Sequence, residues 1–222
     1  SAAAFDNISM GRAALYLNGI GSGNVAIGHS SSYGLRGSNN VSIGATSGPA
    51  DSCSDTHDNI FIGRNTGTAY TSACCIIAIG VNAGPTGTCG AATGCNNIHI
   101  GHNTGCKVQS GDNNITIGCR AGRNLTTGKC SIFIGLYAGG TISDTSSVLA
   151  IGNRAAMNAC GGVLAIGCCA AGQFGGGPGN GIFIGRCAGR YANSSSSPNI
   201  VIGGNSGRSL TLGLNVIIGS SG

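Results

Sequence analysis

A short motif that ends in glycine recurs thirteen times along the 222-residue chain, and its spacing constrains the fold more than any other feature. One copy runs from Asn114 to Gly118, and successive copies are separated by 15 to 21 residues, most often by 17. Repeats of this length are typical of solenoids, in which each repeat forms one coil that stacks on its neighbours. The final glycines, here called the corner glycines, are Gly11, Gly28, Gly44, Gly63, Gly80, Gly101, Gly118, Gly135, Gly152, Gly167, Gly185, Gly203 and Gly219.

The residues before each corner glycine alternate in the manner of a β-strand. The third residue before it is Ile, Val or Leu in every copy, and the residue directly before it is Ile in all copies but the first. A spacing of two places both side chains on one face of a strand. We predict that this face is buried and that the stacked copies form a continuous wall of Ile27, Ile43, Ile62, Ile79 and their equivalents.

The third and the seventh residues after the corner glycine complete the predicted coil. The third residue after it is Ala, Ser or Thr in all twelve complete copies, which indicates a corner without room for a large side chain. Seven residues after it an apolar residue returns in nine of the twelve and predicts a second, weaker strand: Leu35, Tyr70, Val108, Leu125, Ile142, Ala159, Phe174, Ala192 and Leu210. We therefore expect an all-β fold, a single elongated parallel β-solenoid (β-roll) of about thirteen coils in one domain over residues 1–222.

Asparagine precedes the first strand in eight of the thirteen copies, among them Asn24, Asn40 and Asn59. In one interpretation the stacked amides hydrogen-bond along the solenoid axis as a ladder. In the other, Asn simply suits the turn before a strand. Neither interpretation implies chemistry.

The central residue of each strand is predicted to point outward, and this position is apolar in nine of the thirteen copies. An apolar stripe along a solenoid is normally covered by a partner. We expect self-association through the large members Phe61, Phe133, Phe183, Val201 and Ile217, most simply as a homotrimer around a threefold axis. The first and last copies lack polar caps, which favours end-to-end stacking into a filament or a place within a longer fibre.

The twelve cysteines include pairs that stacking brings together. Cys74 and Cys95 occupy the same position in adjacent coils, and so do Cys169 and Cys187, with Cys168 as a competitor for Cys169 and Cys89 for Cys74. Stacked positions lie about 5 Å apart at Cα, within disulfide range. Disulfides indicate an oxidising location outside the cell, on its surface or on a virion, whereas in the alternative interpretation some of these residues are small buried thiols.

The charge of the chain points away from nucleic acid, because the net charge is +5 but only 8% of residues are charged. Basic residues next to the corner glycines would align as a loose ridge that suits an anionic surface or surface glycans, or would form a solvated edge that deters aggregation; the ridge comprises Arg12, Arg64, Arg120, Arg154 and Arg186. Nothing in the sequence resembles a signal peptide or a membrane span, and we expect no membrane insertion.

The run from Asn24 to Gly28, with Ile77 to Gly80, Leu149 to Gly152 and Leu164 to Gly167, resembles the head repeats of trimeric autotransporter adhesins. It is also similar to the Asn-Ile-x-Ile-Gly repeats of phage and other viral fibre proteins. The resemblance implies a left-handed β-roll, three chains side by side, and a role in attachment. The chain departs from the adhesin pattern in its longer coils, its many cysteines and the lack of a coiled-coil stalk or membrane anchor.

The function that these features favour is structural and non-enzymatic: a subunit or segment of an extracellular or virion-surface fibre. The closest alternative is an attachment protein, an adhesin or tail fibre that binds host glycans. An acyltransferase with hexapeptide repeats is a remote alternative, because its motif matches once per coil instead of three times; an ice-binding protein is another, because the central column mixes Phe, Ala, His and Thr. We expect no catalytic residues, cofactor or metal, since the run from Cys53 to Asp58 holds ligand types without an ordered partner.

Overall fold

The computed structural model describes residues 4–50, 55–87, 91–172, 179–192, 198–211 and 214–220. The chain forms two compact units, Ser1–Asn113 and Asn114–Gly222. Each unit is a parallel β-solenoid, and no helix occurs among the described residues. The predicted all-β solenoid is confirmed. The single domain and the left-handed coiling stay predictions.

One short strand per coil precedes each corner glycine, as predicted. The first unit contains β1 Ile8–Met10, β2 Val25–Ile27, β3 Val41–Ile43, β4 Ile60–Ile62, β5 Ile77–Ile79 and β6 Ile98–Ile100. The second contains β7 Ile115–Ile117, β8 Ile132–Ile134, β9 Leu149–Ile151, β10 Val163–Ile166, β11 Gly181–Ile184, β12 Asn199–Ile202 and β13 Asn215–Ile218. Within each unit the strands pair in chain order and in register, so that Ile8 lies beside Val25 and Ile132 beside Leu149. Like positions therefore form columns.

The predicted second strand is wrong, although its apolar column is real. Leu35, Tyr70, Val108 and Leu125 are fully buried. In this half of the coil the described residues make only turns and isolated bridges, such as that between Tyr70 and Ala92. The second and fourth residues after the corner glycine have positive φ in all twelve complete coils, so the backbone that leads to this position turns instead of extending, and the apolar residue is buried singly.

The corner glycines are required for two reasons: their backbone has positive φ, and the next coil leaves no space for a Cβ. Gly118 has a φ of +123°, and a Cβ placed there would lie 2.7 Å from the carbonyl oxygen of Gly135 in the next coil. Either constraint disfavours any other residue. The small residues three positions later are buried, for example Ala121 and Thr66, which confirms a corner without space.

The amide ladder is present where asparagines occupy successive coils. The Nδ2 group of Asn40 donates to Oδ1 of Asn24 at 3.1 Å, and Nδ2 of Asn59 donates to Oδ1 of Asn40 at 2.9 Å. The backbone N–H of Asn40 also donates to Oδ1 of Asn24. Asn215 and Asn199 repeat the amide contact in the second unit. All but Asn215 in this group are buried, so the ladder satisfies groups that water cannot reach.

Candidate self-association face

The structure reverses the predicted inside and outside of every well-packed strand. Phe61, Phe133, Phe183 and Val201, predicted to point outward, are fully buried inside the solenoid. Ile217 occupies the same column in β13 and is half-buried. The predicted self-association stripe is therefore wrong: its large side chains already form the core of a single chain.

The core has room for these large side chains because the residue that faces them across the coil, the fourth after the corner glycine, is glycine. A Cβ at Gly139 would overlap the ring of Phe133, and a Cβ at Gly189 would overlap the ring of Phe183. The facing residue carries a Cβ of its own only in coils whose central strand residue is small, as with Ala156 opposite Ala150. The interior is narrow, so the two positions share one volume.

In β2 to β13, the third residue before each corner glycine and the residue directly before it instead point away from the coil and form two parallel apolar columns. We call this surface the isoleucine face and describe it separately in each unit. In the first unit it comprises Val25, Ile27, Val41, Ile43, Ile60, Ile62, Ile77, Ile79, Ile98 and Ile100; in the second it comprises Ile115, Ile117, Ile132, Ile134, Leu149, Ile151, Leu164, Ile166, Ile182, Ile184, Ile200, Ile202, Val216 and Ile218. The wall of Ile27, Ile43, Ile62 and Ile79 that was predicted to be buried belongs to it.

The isoleucine face is half-exposed. Ile43, Ile60, Ile100, Ile151 and Ile200 are each 36–37% exposed, and most other members are intermediate because the coils above and below cover part of them. At roughly 60 Å² of exposed apolar surface per side chain, the face exposes roughly 600 Å² in the first unit and roughly 800 Å² in the second, at or above the size of the largest patch on a typical monomer. Such a surface is typical of a site that another molecule covers.

Among the strands, β1 and β13 carry the most exposed apolar side chains. Ile8 and Met10 are 56% and 64% exposed, and Val216 and Ile218 are 68% and 73% exposed. Each of these strands pairs on one side only among the described residues. The backbone groups and side chains on the other side are available to a further strand.

A shallow apolar groove of about 580 Å³ lies along the isoleucine face of the second unit. Leu149, Leu164, Ile182 and Ile200 line it, together with residues that precede them, among which Gly162 and Gly181 have no side chain. It therefore gives a matching ridge of apolar side chains a place to insert.

The arginines of the predicted basic ridge do not form one continuous row. Arg12, Arg64, Arg154 and Arg186 are exposed. In the first unit, Nη2 of Arg12 lies 2.7 Å from Nε2 of His29 in the next coil. The coil after that has Ala45 at the same position, so the row of basic side chains is interrupted before Arg64. In the second unit, Arg120 is half-buried, lies 5.2 Å over the ring of Tyr137 and contacts its hydroxyl.

Tyr191 is a basic and aromatic surface group that the sequence analysis missed. The guanidinium carbons of Arg190 and Arg208 lie 5.1 and 5.5 Å from its ring centroid. Such cation–π contacts hold each arginine in place on the surface. A signal for it was present, since Arg190 and Arg208 share the fifth position after their corner glycines.

The predicted disulfide partners are brought together to different degrees. The Sγ atoms of Cys74 and Cys95 are 2.8 Å apart. Those of Cys168 and Cys169 are 3.7 Å apart, and Cys187 is buried in the next coil, where its backbone N–H donates to the carbonyl of Cys168. The ten described cysteines are thiols, with no two sulfurs at bonding distance. Cys53 and Cys89 lie outside the described residues.

Cys95 also belongs to a column of hydrogen-bond acceptors, six residues before the corner glycines. The backbone N–H of Cys74 donates to Sγ of Cys95 at 3.2 Å, and that of Cys95 donates to Oδ1 of Asp112 at 2.9 Å. Ser38 and His57 make the same contact two coils earlier. In most of the described coils of this acceptor column, the N–H donates to a side chain of the following coil; the N–H of His57 instead donates to the backbone carbonyl of Ala73.

The titratable groups in the core stay neutral. Burial lowers the pKa of His99 to about 4, and burial raises the pKa of Tyr70 far above its usual value. Near the surface, Nε2 of His57 lies 3.0 Å from a carboxylate oxygen of Asp55. Within the described ranges, no three His, Cys, Asp or Glu side chains are grouped so as to hold a metal ion.

In the part of the chain that the structure describes, no helix has the length and hydrophobicity needed to cross a bilayer. Comparisons with protein-family models, with curated protein sequences and with solved structures find no match to this chain.

Proposed function

We propose that the protein is a non-enzymatic structural repeat protein that associates with copies of itself through the isoleucine face, as a subunit or segment of an extracellular or virion-surface fibre. One observation carries the proposal: every strand from β2 to β12 presents two apolar side chains outward, half-exposed and in register with those of the paired coils. Transfer of each such side chain from water into an interface contributes about 1.5 kcal/mol, if roughly 60 Å² is buried at 25 cal/mol per Å².

The two-column form of the face favours a closed ring of copies. In a parallel trimer, the column that starts each strand meets the column that ends the strands of the next copy, so that both columns are covered and no apolar surface remains. A contact between two different surfaces of the same chain closes into a ring when the rotation between copies closes. An identical coil rise in each copy keeps the columns in step along the axis.

Axial stacking on β1 and β13 is the second contact of the proposed fibre, either between two copies or with adjoining coils of a longer fibre. The exposed side chains of β13, with Ile218 at 73%, and those of β1, with Met10 at 64%, are suited to such a contact. Pairing extends the ladder in the parallel register that the internal strands use. The charged side chains that usually protect such edges are lacking in both strands.

Sedimentation velocity at micromolar concentration tests the lateral contact. Ile117→Lys with Ile134→Lys places charges on the face in two adjacent coils, and we expect the trimer to dissociate to folded monomers. Thr127→Lys with Ser143→Lys adds the same two charges at exposed residues outside the face, in two adjacent coils of the same unit, and is the matched control, which should leave the trimer intact. A stable monomer for the unmodified protein at this concentration refutes the proposal.

A further inference from the structure

The closest pair of thiols in the described structure lies at the base of the longest coil. Cys74 and Cys95 are 21 residues apart in sequence, and their Sγ atoms are 2.8 Å apart in space. This coil lies between Gly80 and Gly101, where the repeat spacing reaches its maximum. The two cysteines thus lie next to each other in space although the chain between them is the longest repeat of the sequence.

The backbone already has the geometry that a covalent link needs. Cys74 and Cys95 occupy one column of adjacent coils, flanked by the parallel pair of β5 and β6. Neighbouring strands are about 4.8 Å apart, inside the range of about 4.4–6.8 Å between the Cα atoms of disulfide-bonded cysteines. Cys75 is a poorer partner for Cys74, because consecutive Cα atoms are only about 3.8 Å apart.

We propose that Cys74 and Cys95 are an oxidation site: oxidation joins them in a disulfide between two adjacent coils, and this bond links the two ends of the 21-residue repeat. This inference rests on the thiol geometry and does not depend on self-association. The oxidant is a low-molecular-weight disulfide such as oxidised glutathione. Cys95 Sγ, which accepts both the thiol proton and the backbone N–H of Cys74, supplies the attacking thiolate.

The reaction balances as two exchange steps. The Cys95 thiolate attacks one sulfur of the oxidant, whose S–S bond breaks and releases one thiol. Cys74 then loses its proton to solvent, attacks the Cys95 sulfur and expels the second thiol. Two protein thiols are oxidised to one disulfide, and the oxidant is reduced to two thiols. The hydrogen bond to Cys95 raises the pKa of Cys74 to about 12, with burial as the second cause, which is consistent with Cys74 acting second.

A purely structural role for Cys95 is the competing explanation, since the acceptor column needs some acceptor in this coil. The variant Cys95→Ser separates the two roles. Serine serves as the acceptor in this column at Ser22 and Ser38, so the variant keeps the hydrogen bond and removes the redox chemistry. Cys74→Ser is the second variant, and exposed Cys130 provides the control Cys130→Ser.

The experiment incubates the full chain with oxidised glutathione, alkylates the remaining thiols after unfolding and maps the peptides. We expect a Cys74–Cys95 cross-link in the unmodified protein and in Cys130→Ser, with a rise in Tm of roughly 5 °C or more. In Cys95→Ser and Cys74→Ser we expect no cross-link and no rise in Tm. Free thiols or glutathione adducts at Cys74 and Cys95 in the unmodified protein, or a link from either to Cys75 or Cys89, overturn the proposal.

Discussion

Placing lysine at two adjacent positions of β8 tests the inside and outside of the solenoid directly. Phe133 is fully buried, whereas its neighbour Ile134 points outward and is half-exposed. The new side chain and the strand are the same in Phe133→Lys and Ile134→Lys, so only the direction of the side chain differs. Strand propensity and net charge therefore cancel in the comparison.

The expected energies differ several-fold. Phe133→Lys removes about 200 Å² of buried aromatic surface, worth about 5 kcal/mol at 25 cal/mol per Å², and it also buries an ammonium group without a partner. Ile134→Lys should cost under about 1 kcal/mol in the isolated chain, since a lysine stem lies along an apolar surface while its ammonium stays in water. In a trimer it removes three contacts of about 1.5 kcal/mol each and weakens assembly roughly a thousandfold.

Urea unfolding followed by far-UV circular dichroism, at a concentration at which the trimer is dissociated, measures the first difference. Sedimentation velocity at micromolar concentration measures the second. We expect Phe133→Lys to lose the β signal of its coils and Ile134→Lys to retain it as a monomer. Equal destabilisation by the two variants, or greater destabilisation by Ile134→Lys, would show that the assignment of the isoleucine face is wrong.

Three further variants probe the interior. Because the pKa of His99 is lowered to about 4 by burial, against about 6.5 when unfolded, stability is fully present above pH 6.5 and falls by about 3 kcal/mol as the pH drops from 6.5 to 4; His99→Phe should flatten this dependence in urea titrations across that range. Gly139→Ala should cost about 2–4 kcal/mol, since φ is +58° and the added Cβ overlaps Phe133, whereas thermal melts of the control Gly204→Ala, where a Cβ meets nothing within 4 Å, should be unchanged. Asn40→Ala should cost about 2–4 kcal/mol by leaving buried ladder groups unsatisfied, and amide exchange should accelerate in coils next to it and not in the second unit.

The repeat pattern was sufficient to predict the solenoid and the strand before each corner glycine, whereas the second strand that it predicted in each coil is not formed. The corner glycines mark each strand end, and the small third residue and the buried seventh position lie where expected, as at Ala121 and Leu125. These predictions succeed because glycine, small residues and apolar columns each answer a local steric demand that recurs in every coil. The sequence left the amide ladder as one of two interpretations of the asparagine column, and the structure shows its hydrogen bonds.

The orientation of the strand was not predicted because a period of two separates two faces without saying which is inside. The regular Ile columns looked like a core, but apolar residues occur on surfaces as well. A signal was present in the pairing of sizes. Every large central residue, such as Phe61 or Phe183, is followed by glycine at the facing position, Gly67 or Gly189, and only alanine or serine tolerates a larger neighbour there. The two outer columns show no such pairing of large with small residues, because no residue of the same chain faces their side chains and restricts their size.

The opposite directions of the two backbone ladders have a consequence for how such a chain lengthens. In the asparagine ladder an N–H donates to the preceding coil, as from Asn40 to Asn24, and in the acceptor column it donates to the following coil, as from Ser22 to Ser38. A duplicated or transplanted coil is therefore compatible wherever it brings one oxygen, nitrogen or sulfur acceptor for each neighbour. Since Ser, His, Cys and Asp all serve, unequal recombination between copies has many permitted joining points, and the number of coils can drift while the fold stays the same.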